Sequence, residues 1–471
     1  MKMNKFFAAL IAATMVLASC NKDETDGGLT SGEETFAGVS ISIPLPLNQR
    51  AADSEIGADV NAATSTESAI SNVGIFVVNL TANTIDKLYL TTTGTDFDFS
   101  AGVATAKKAI RTTTGAKSIF VVTNYDGVKA TIDAMGAAAF KNNAIALTEA
   151  AFKTESGGSL VNMTMIGKTD AILTIQSEAN AILPVNLIDV DLYRNLAKVV
   201  VRHDAAVTPV TGGKHQTGTL EFGLIAKANG AWLYNTPTTA TGASGSATVT
   251  AYTGVPASAV SSSSDPYWNN FSDIVLGSTP GVYKQVSAFN SASNAYQTYN
   301  GWYCHENLYT ELYAGNVTAA RIRGKFIPNS LVTIFNASGQ RTTIDNSANT
   351  VAASFYRYSD GSYWSAGAYT QATTAAPVIS GSPNPQYIDP IYFSSEYVGG
   401  TGYYTIDVMD GNRVLSVKRN NYYDLAIDAI EGPGSPTEPG DPTPQKNPES
   451  YISVKVTVMP WWRHHTGHTI Q

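Results

Sequence analysis

Val39-Ser40-Ile41-Ser42-Ile43-Pro44-Leu45-Pro46-Leu47 near the start of the chain and Ile452-Ser453-Val454-Lys455-Val456-Thr457-Val458 near its end carry one pattern. Apolar residues occupy every second position in both. Successive side chains of a strand point to opposite faces, so this alternation reads as a half-buried β-strand. Two end strands with nearly the same apolar face imply that one can replace the other in a similar groove. Pro44 and Pro46 cannot donate ladder hydrogen bonds and fit an edge strand.

What surrounds the first strand gives it a context. Lys2 and Lys5 precede the apolar run 6–16, which is short for a transmembrane span. Leu17-Ala18-Ser19-Cys20 then matches a bacterial lipobox, so residues 1–20 read as a lipoprotein signal peptide with Cys20 as the lipidated (palmitate-carrying) residue. Residues 21–35 are polar and acidic and read as a flexible tether. Residues 36–50 form the unit of the first strand. It ends at Arg50, the one basic residue between Lys22 and Lys87. An arginine-specific protease would find a single target there, cutting between Arg50 and Ala51.

The second strand lies behind a different tether. Residues 432–450 are rich in proline and glycine, from Gly432-Pro433-Gly434-Ser435-Pro436 onward. Such a segment stays extended at about 3 Å per residue and could carry the strand on the order of 50 Å. Residues 451–471 are then the donor strand (Ile452, Val454, Val456, Val458) and a His-rich tail.

Between these ends, 471 residues suit two large β domains. Charged residues make up only 14%, while there are 24 Tyr and 39 Gly, a composition suited to exported β-proteins. The net charge of −8 gives no electrostatic reason for a nucleic-acid partner. With Cys20 acylated, Cys304 has no intrachain partner, and stability must come from burial and strand pairing. Strand runs recur at Val73–Asn79, Ser118–Asn124, Leu196–Val201, Leu220–Ala226, Arg321–Ile327, Tyr404–Val408 and Tyr422–Ile427. Helical spacing is confined to one or two helices between Val128 and Phe152. Many short strands and few helices predict an all-β fold of antiparallel sandwiches, with domains at 51–205 and 206–431. Thr236–Ser264 is low in complexity and reads as a surface loop.

No catalytic constellation emerges. His305-Glu306-Asn307-Leu308-Tyr309 starts like a zincin motif, but its fifth residue is Tyr. Gly212-Gly213-Lys214 lacks phosphate-loop spacing, and Cys304 reads as a buried structural thiol. His464, His465 and His468 read as a polar tail rather than a metal site. The expectation is a protein that is not an enzyme and takes no cofactor or metal. Trp268, Trp302, Trp364, Trp461 and Trp462 leave one rival, a glycan-binding face, although aromatics at strand positions usually serve the core.

Taken in order, several segments resemble the fimbrillin, or type V pilin, family, and the major subunit of short fimbriae in particular. They are the lipobox at Cys20; Asn48-Gln49-Arg50-Ala51; Arg194-Asn195-Leu196-Ala197-Lys198-Val199; Phe222-Gly223-Leu224-Ile225-Ala226-Lys227; Tyr303-Cys304-His305-Glu306-Asn307; Arg419-Asn420-Asn421-Tyr422-Tyr423-Asp424-Leu425; and Val454-Lys455-Val456-Thr457-Val458-Met459-Pro460-Trp461. The long Thr/Ser loop and the His-rich tail depart from the family. The resemblance implies two transthyretin-like sandwich domains, surface localisation in an outer-membrane-anchored fimbrium, and cleavage after Arg50 by a surface protease. It further implies loss of the strand Val39, Ile41, Ile43, Leu45 and Leu47, whose groove then takes the C-terminal strand of another subunit. Partners would be identical subunits, tip and anchor subunits, and a host protein or glycan ligand. The alternatives are a lipid-anchored glycan-binding protein and a tip or anchor subunit of the same pilus. Refilling the groove with four apolar side chains would gain roughly 6–12 kcal/mol before ordering costs.

Overall fold

The computed structural model describes residues 34–42, 64–79, 81–91, 93–100, 103–137, 140, 144–145, 149–156, 159–169, 173–175, 186–203, 212–216, 218–225, 231–232, 283–288, 301–306, 318–336, 338–374, 387–408, 417, 419–430, 432–437 and 452–460. The fold is all-β with minor helices, as the strand pattern predicts.

In the first unit two sheets face each other. One has the order Leu187–Asp191, Glu34–Ser42, Val103–Ala106, Phe97–Ser100, and Ile110–Thr113 pairs with the first half of Glu34–Ser42. The other runs Tyr193–Arg194, Met165–Lys168, Gly115–Thr123, Val73–Asn79, Thr84–Leu90. Val39, Ile41, Ile75, Val77, Phe97, Ile119, Val121 and Val190 form the core between them. Every residue of Val73–Asn79 is buried. Its other face packs on a second cluster that includes Phe76, Val78, Val128, Ile132, Phe140 and Phe152. The short helix Lys129–Asp133 and the 3-10 turn Glu149–Phe152 supply that cover, within the span where helical spacing was expected.

The second unit repeats the design. Ser287–Ala288, Ala197–His203, Asn421–Ile430 and Ile452–Pro460 form one sheet, joined by Gly301–Cys304. Gly213–His215, Ala319–Pro328, Glu221–Ile225 and Lys284–Gln285 form the other, joined by Thr401–Asp407. Their shared core includes Val199, Val201, Phe222, Leu224, Ile322, Tyr423, Leu425 and Ile427. Ala197–His203 pairs in parallel with Asn421–Ile430, so the chain changes sheets between Arg194 and Ala197. The strand run Leu196–Val201 is apolar on the face of Ala197, Val199 and Val201, which joins the second unit's core, while Lys198 and Arg202 lie on its other face.

A smaller sheet, Arg341–Asp345, Ser330–Phe335, Tyr363–Ser365, Phe355–Arg357, is capped by the helix Ala366–Thr373. Ser365 caps that helix by accepting a hydrogen bond from the Ala368 amide. Trp364, Phe335, Phe393, Val332, Ala368 and Ala372 make its core.

Candidate functional site: two end strands and the junction between units

The N-terminal strand comprises Glu34–Ser42. Thr35, Ala37, Val39 and Ile41 are buried, and Glu34 and Phe36 face outward. The alternation therefore starts at Thr35, four residues before the expected Val39, inside the segment read as a tether. Thr and Ala carry too little hydrophobic signal to mark the strand's true start. Ile43, Leu45 and Leu47 lie outside the described residues, as do Cys20, Arg50 and Ala51.

The described part of this strand is interior, in contrast to the edge position that Pro44 and Pro46 point to. On one side it pairs in parallel with Leu187–Asp191, with Val39 opposite Ile188 and Ile41 opposite Val190. On the other side it pairs antiparallel with Ile110–Thr113 and then with Val103–Ala106. Asn186 adds a pin, its Nδ2 donating to the Phe36 carbonyl at 3.0 Å while the Gly38 amide donates to the Asn186 carbonyl at 3.2 Å. Arg111 Nε pairs with the Glu34 carboxylate and holds that carboxyl below its ordinary range. Removing this strand would open a slot with unpaired backbone on both walls and an apolar floor.

The C-terminal strand Ile452–Pro460 sits at the edge of the second unit's sheet, antiparallel to Asn421–Ile430. Ile452, Val454, Val456 and Val458 occupy register positions opposite Ile430, Ile427, Leu425 and Tyr423. Those four partners are completely buried. One end strand is thus held by ladders on two sides, the other by a ladder on one.

Where the two units meet, two of the quoted segments, Arg194–Val199 and Tyr303–Asn307, converge on Glu67, a residue that sequence patterning does not single out. Glu67 lies in the 3-10 turn Thr66–Ser68 and is 0% exposed. Its Oε1 accepts from Lys198 Nζ at 2.8 Å and from the Tyr303 hydroxyl at 2.5 Å, and its Oε2 accepts from the Thr64 amide at 2.6 Å. Arg194 Nε donates to the Glu67 carbonyl at 2.9 Å, and Nη2 donates to Ser68 Oγ at 2.7 Å. Burial alone would raise the Glu67 pKa, but the Lys198 charge and these hydrogen bonds outweigh it and lower the pKa. Burial, reinforced by the same carboxylate, drives the Tyr303 hydroxyl far above its usual value. Alongside, Arg419 pairs with Glu306, and its Nη1 donates to Asn195 Oδ1 at 2.8 Å. Asn420 takes φ of +60° there, accepts the Arg194 amide at 3.2 Å and donates its own amide to the Leu196 carbonyl at 2.9 Å. The sequence around Glu67 reads as a polar turn, Thr64-Ser65-Thr66-Glu67-Ser68, ahead of the apolar run from Val73.

Other sequence candidates resolve as structure. His305 is buried edge-on against Phe152, Glu306 is committed to Arg419, and Cys304 is a buried thiol. Trp364 is a core residue at 0% exposure, and Trp302 donates its Nε1–H to the Phe222 carbonyl beneath Lys284. Trp268, Trp461 and Trp462 lie outside the described residues. Among the described residues, no group of three metal-ligating side chains occurs.

Two packed β-sandwich units, each including a strand from one chain end, define a modular all-β protein. Residues 395–466 match the family model described as the major fimbrial subunit protein type IV, fimbrillin, C-terminal. The chain is similar to a fimbrilin from Porphyromonas gingivalis, with 15% identity, a TM-score of 0.46, and coverage of 91% of this chain and 98% of that one. It is also similar to the tip fimbrial protein Mfa3 of the same organism in a form with C-terminal truncation (12% identity, TM-score 0.38, 91% and 100% covered). A fimbrial assembly protein from Parabacteroides distasonis aligns at 11% identity, with a TM-score of 0.34 and 91% and 100% covered. No curated protein sequence gives a significant match.

Proposed function

We propose that this chain is a structural fimbrial subunit that polymerises at the cell surface by exchanging strands. It is exported as a lipoprotein acylated at Cys20 and anchored in the outer membrane until a protease cuts after Arg50. The strand that includes Val39 and Ile41 then leaves, and the slot accepts Ile452–Pro460 of a second copy. The observation that carries this reading is the unequal seating of the two end strands. The N-terminal strand fills an interior slot whose loss leaves both neighbours unpaired, and such a slot favours refilling by another strand. The C-terminal strand occupies a sheet edge, where leaving breaks a single ladder. Fimbrial subunits and assembly proteins among the similar structures agree with identical subunits and other pilus subunits as partners.

The glycan-binding alternative loses its described support, because Trp364 is core and Trp302 is partly buried and hydrogen-bonded. The deciding measurement is the N-terminal residue of surface-assembled protein, made with wild type and Arg50→Ala. Expected results are Ala51 at the N-terminus of the wild-type polymer and a lipidated monomer from the variant. An acylated Cys20 at the N-terminus of the polymer, or normal polymer from the variant, would refute the order of events.

A further inference from the structure

The proline-rich segment that leads to the C-terminal strand is seated where it begins. Thr401–Asp407 lies at the side of its sheet and pairs with Ala319–Pro328 along one edge. Its other edge meets the start of the tether through an antiparallel bridge between Tyr403 and Ser435. The Tyr403 amide donates to the Ser435 carbonyl at 2.9 Å, and the Ser435 amide donates back to the Tyr403 carbonyl at 2.9 Å. Two tyrosine hydroxyls add to this, Tyr397 donating to the Gly434 carbonyl at 2.9 Å and Tyr404 to the Gly432 carbonyl at 2.5 Å. Gly432, Pro433 and Gly434 are buried, and Thr437 is exposed.

The contact is close enough to demand glycine on both sides. A Cβ on Gly402 would lie 1.6 Å from the Pro433 carbonyl oxygen. Gly434 has φ of +71°, and a Cβ there would lie 2.5 Å from the Tyr403 carbonyl oxygen. The backbone-to-backbone approach, the positive φ and two hydroxyl donors aimed at the alternate carbonyls of Gly432 and Gly434 make a built seat for one extended Gly/Pro segment. Behind it, His215 Nε2 lies 3.0 Å from the Tyr404 hydroxyl. The single hydroxyl hydrogen serves Gly432, so the ring nitrogen is the donor in that pair.

We propose that Gly432–Ser435 is a fixed root for the C-terminal strand, held by the edge of Thr401–Asp407, and that the strand pivots beyond Ser435 when it leaves its own sheet. The tether is then anchored through its first four residues rather than free along its full length. The root would bind each donated strand to the second unit's sheet and set the angle at which successive subunits meet. That last consequence rests on the strand-donation reading, whereas the root itself does not.

The test uses the full-length subunit and Gly434→Ala, a change outside the sheet, with Tyr397→Phe as a milder second variant. Backbone exchange of the Ser435 amide should be slowed on the order of 100-fold in the wild-type monomer, since release breaks several hydrogen bonds at once. In Gly434→Ala that protection should vanish while the amides of Asn421–Ile430 keep theirs, and Tyr397→Phe should fall between. Polymers of Gly434→Ala should form but show a wider spread of bend angles between subunits in electron micrographs. An unprotected Ser435 amide in the wild-type monomer overturns the root. Lost protection with an unchanged bend distribution overturns its role in setting geometry. If wild type forms no polymer, the donation reading fails, and the exchange result still decides the root.

Discussion

Replacing Glu67 with Gln should be among the most damaging conservative changes in this chain. The substitution keeps size and shape but removes the charge that Lys198 faces at 2.8 Å, with the two side chains 0% and 4% exposed. It also leaves the Tyr303 hydroxyl and Arg194 around a neutral amide. Breaking one side of a buried pair strands the other charge and costs about 3–5 kcal/mol. Glu67→Gln should therefore lower the urea midpoint of the unfolding transition that includes the junction by that free energy, read at constant m-value. Lys198→Met should do the same. The double variant should recover a large part of the loss, because a neutral pair strands no charge. In wild type the lowered Glu67 pKa makes this contribution present above the ordinary carboxylate range. It is lost as pH falls through the lowered value, when the folded state takes up the proton. A cost below about 1 kcal/mol for Glu67→Gln, or a double variant as unstable as the sum of the singles, would refute the pairing argument.

Ile41→Ala should cost about 2–5 kcal/mol, because Ile41 is 1% exposed between two paired strands and its cavity would be walled by ladders that cannot collapse; a thermal or urea melt of the uncut subunit checks it. His215 should add a second, distinct acid sensitivity. Burial lowers its pKa from 6.5 to about 4, with the Gly432 carbonyl working the other way. The unfolded chain takes up this proton first, so stability should decline as pH falls from about 6.5 to about 4, by about 3 kcal/mol in total. His215→Asn should flatten that part of the stability profile, and parallel profiles for the two proteins would count against it.

Local pattern was enough for the all-β class, the two end strands and the long apolar runs. Period-two alternation and β-branched content act over a few residues, and Val39, Ile41 and Val73–Asn79 lie where that pattern puts buried strand positions. It was also enough to fix the order of segments that resemble the fimbrillins, and residues 395–466 carry that likeness. Position within a sheet was beyond it. Whether Glu34–Ser42 is interior or edge depends on Leu187–Asp191 arriving beside it from about 150 residues away, and no local signal encodes that pairing. The same holds for Ala197–His203, whose one apolar face (Ala197, Val199, Val201) suits either core until Asn421–Ile430 pairs with it. Glu67 was invisible for a related reason. A carboxylate in a polar turn reads as solvated surface, and only tertiary packing brings Lys198, Tyr303 and Arg194 around it and makes its charge expensive to remove. The tether's composition announced an extended segment, but only the fold placed Gly402 and Gly434 in apposition and seated its first residues against Tyr403. Residue types determined which segments could be strands, because that choice is made over a few neighbouring positions. Long-range pairing and burial decided which strand is enclosed and which is exposed, because each needs a partner supplied from a distant part of the chain.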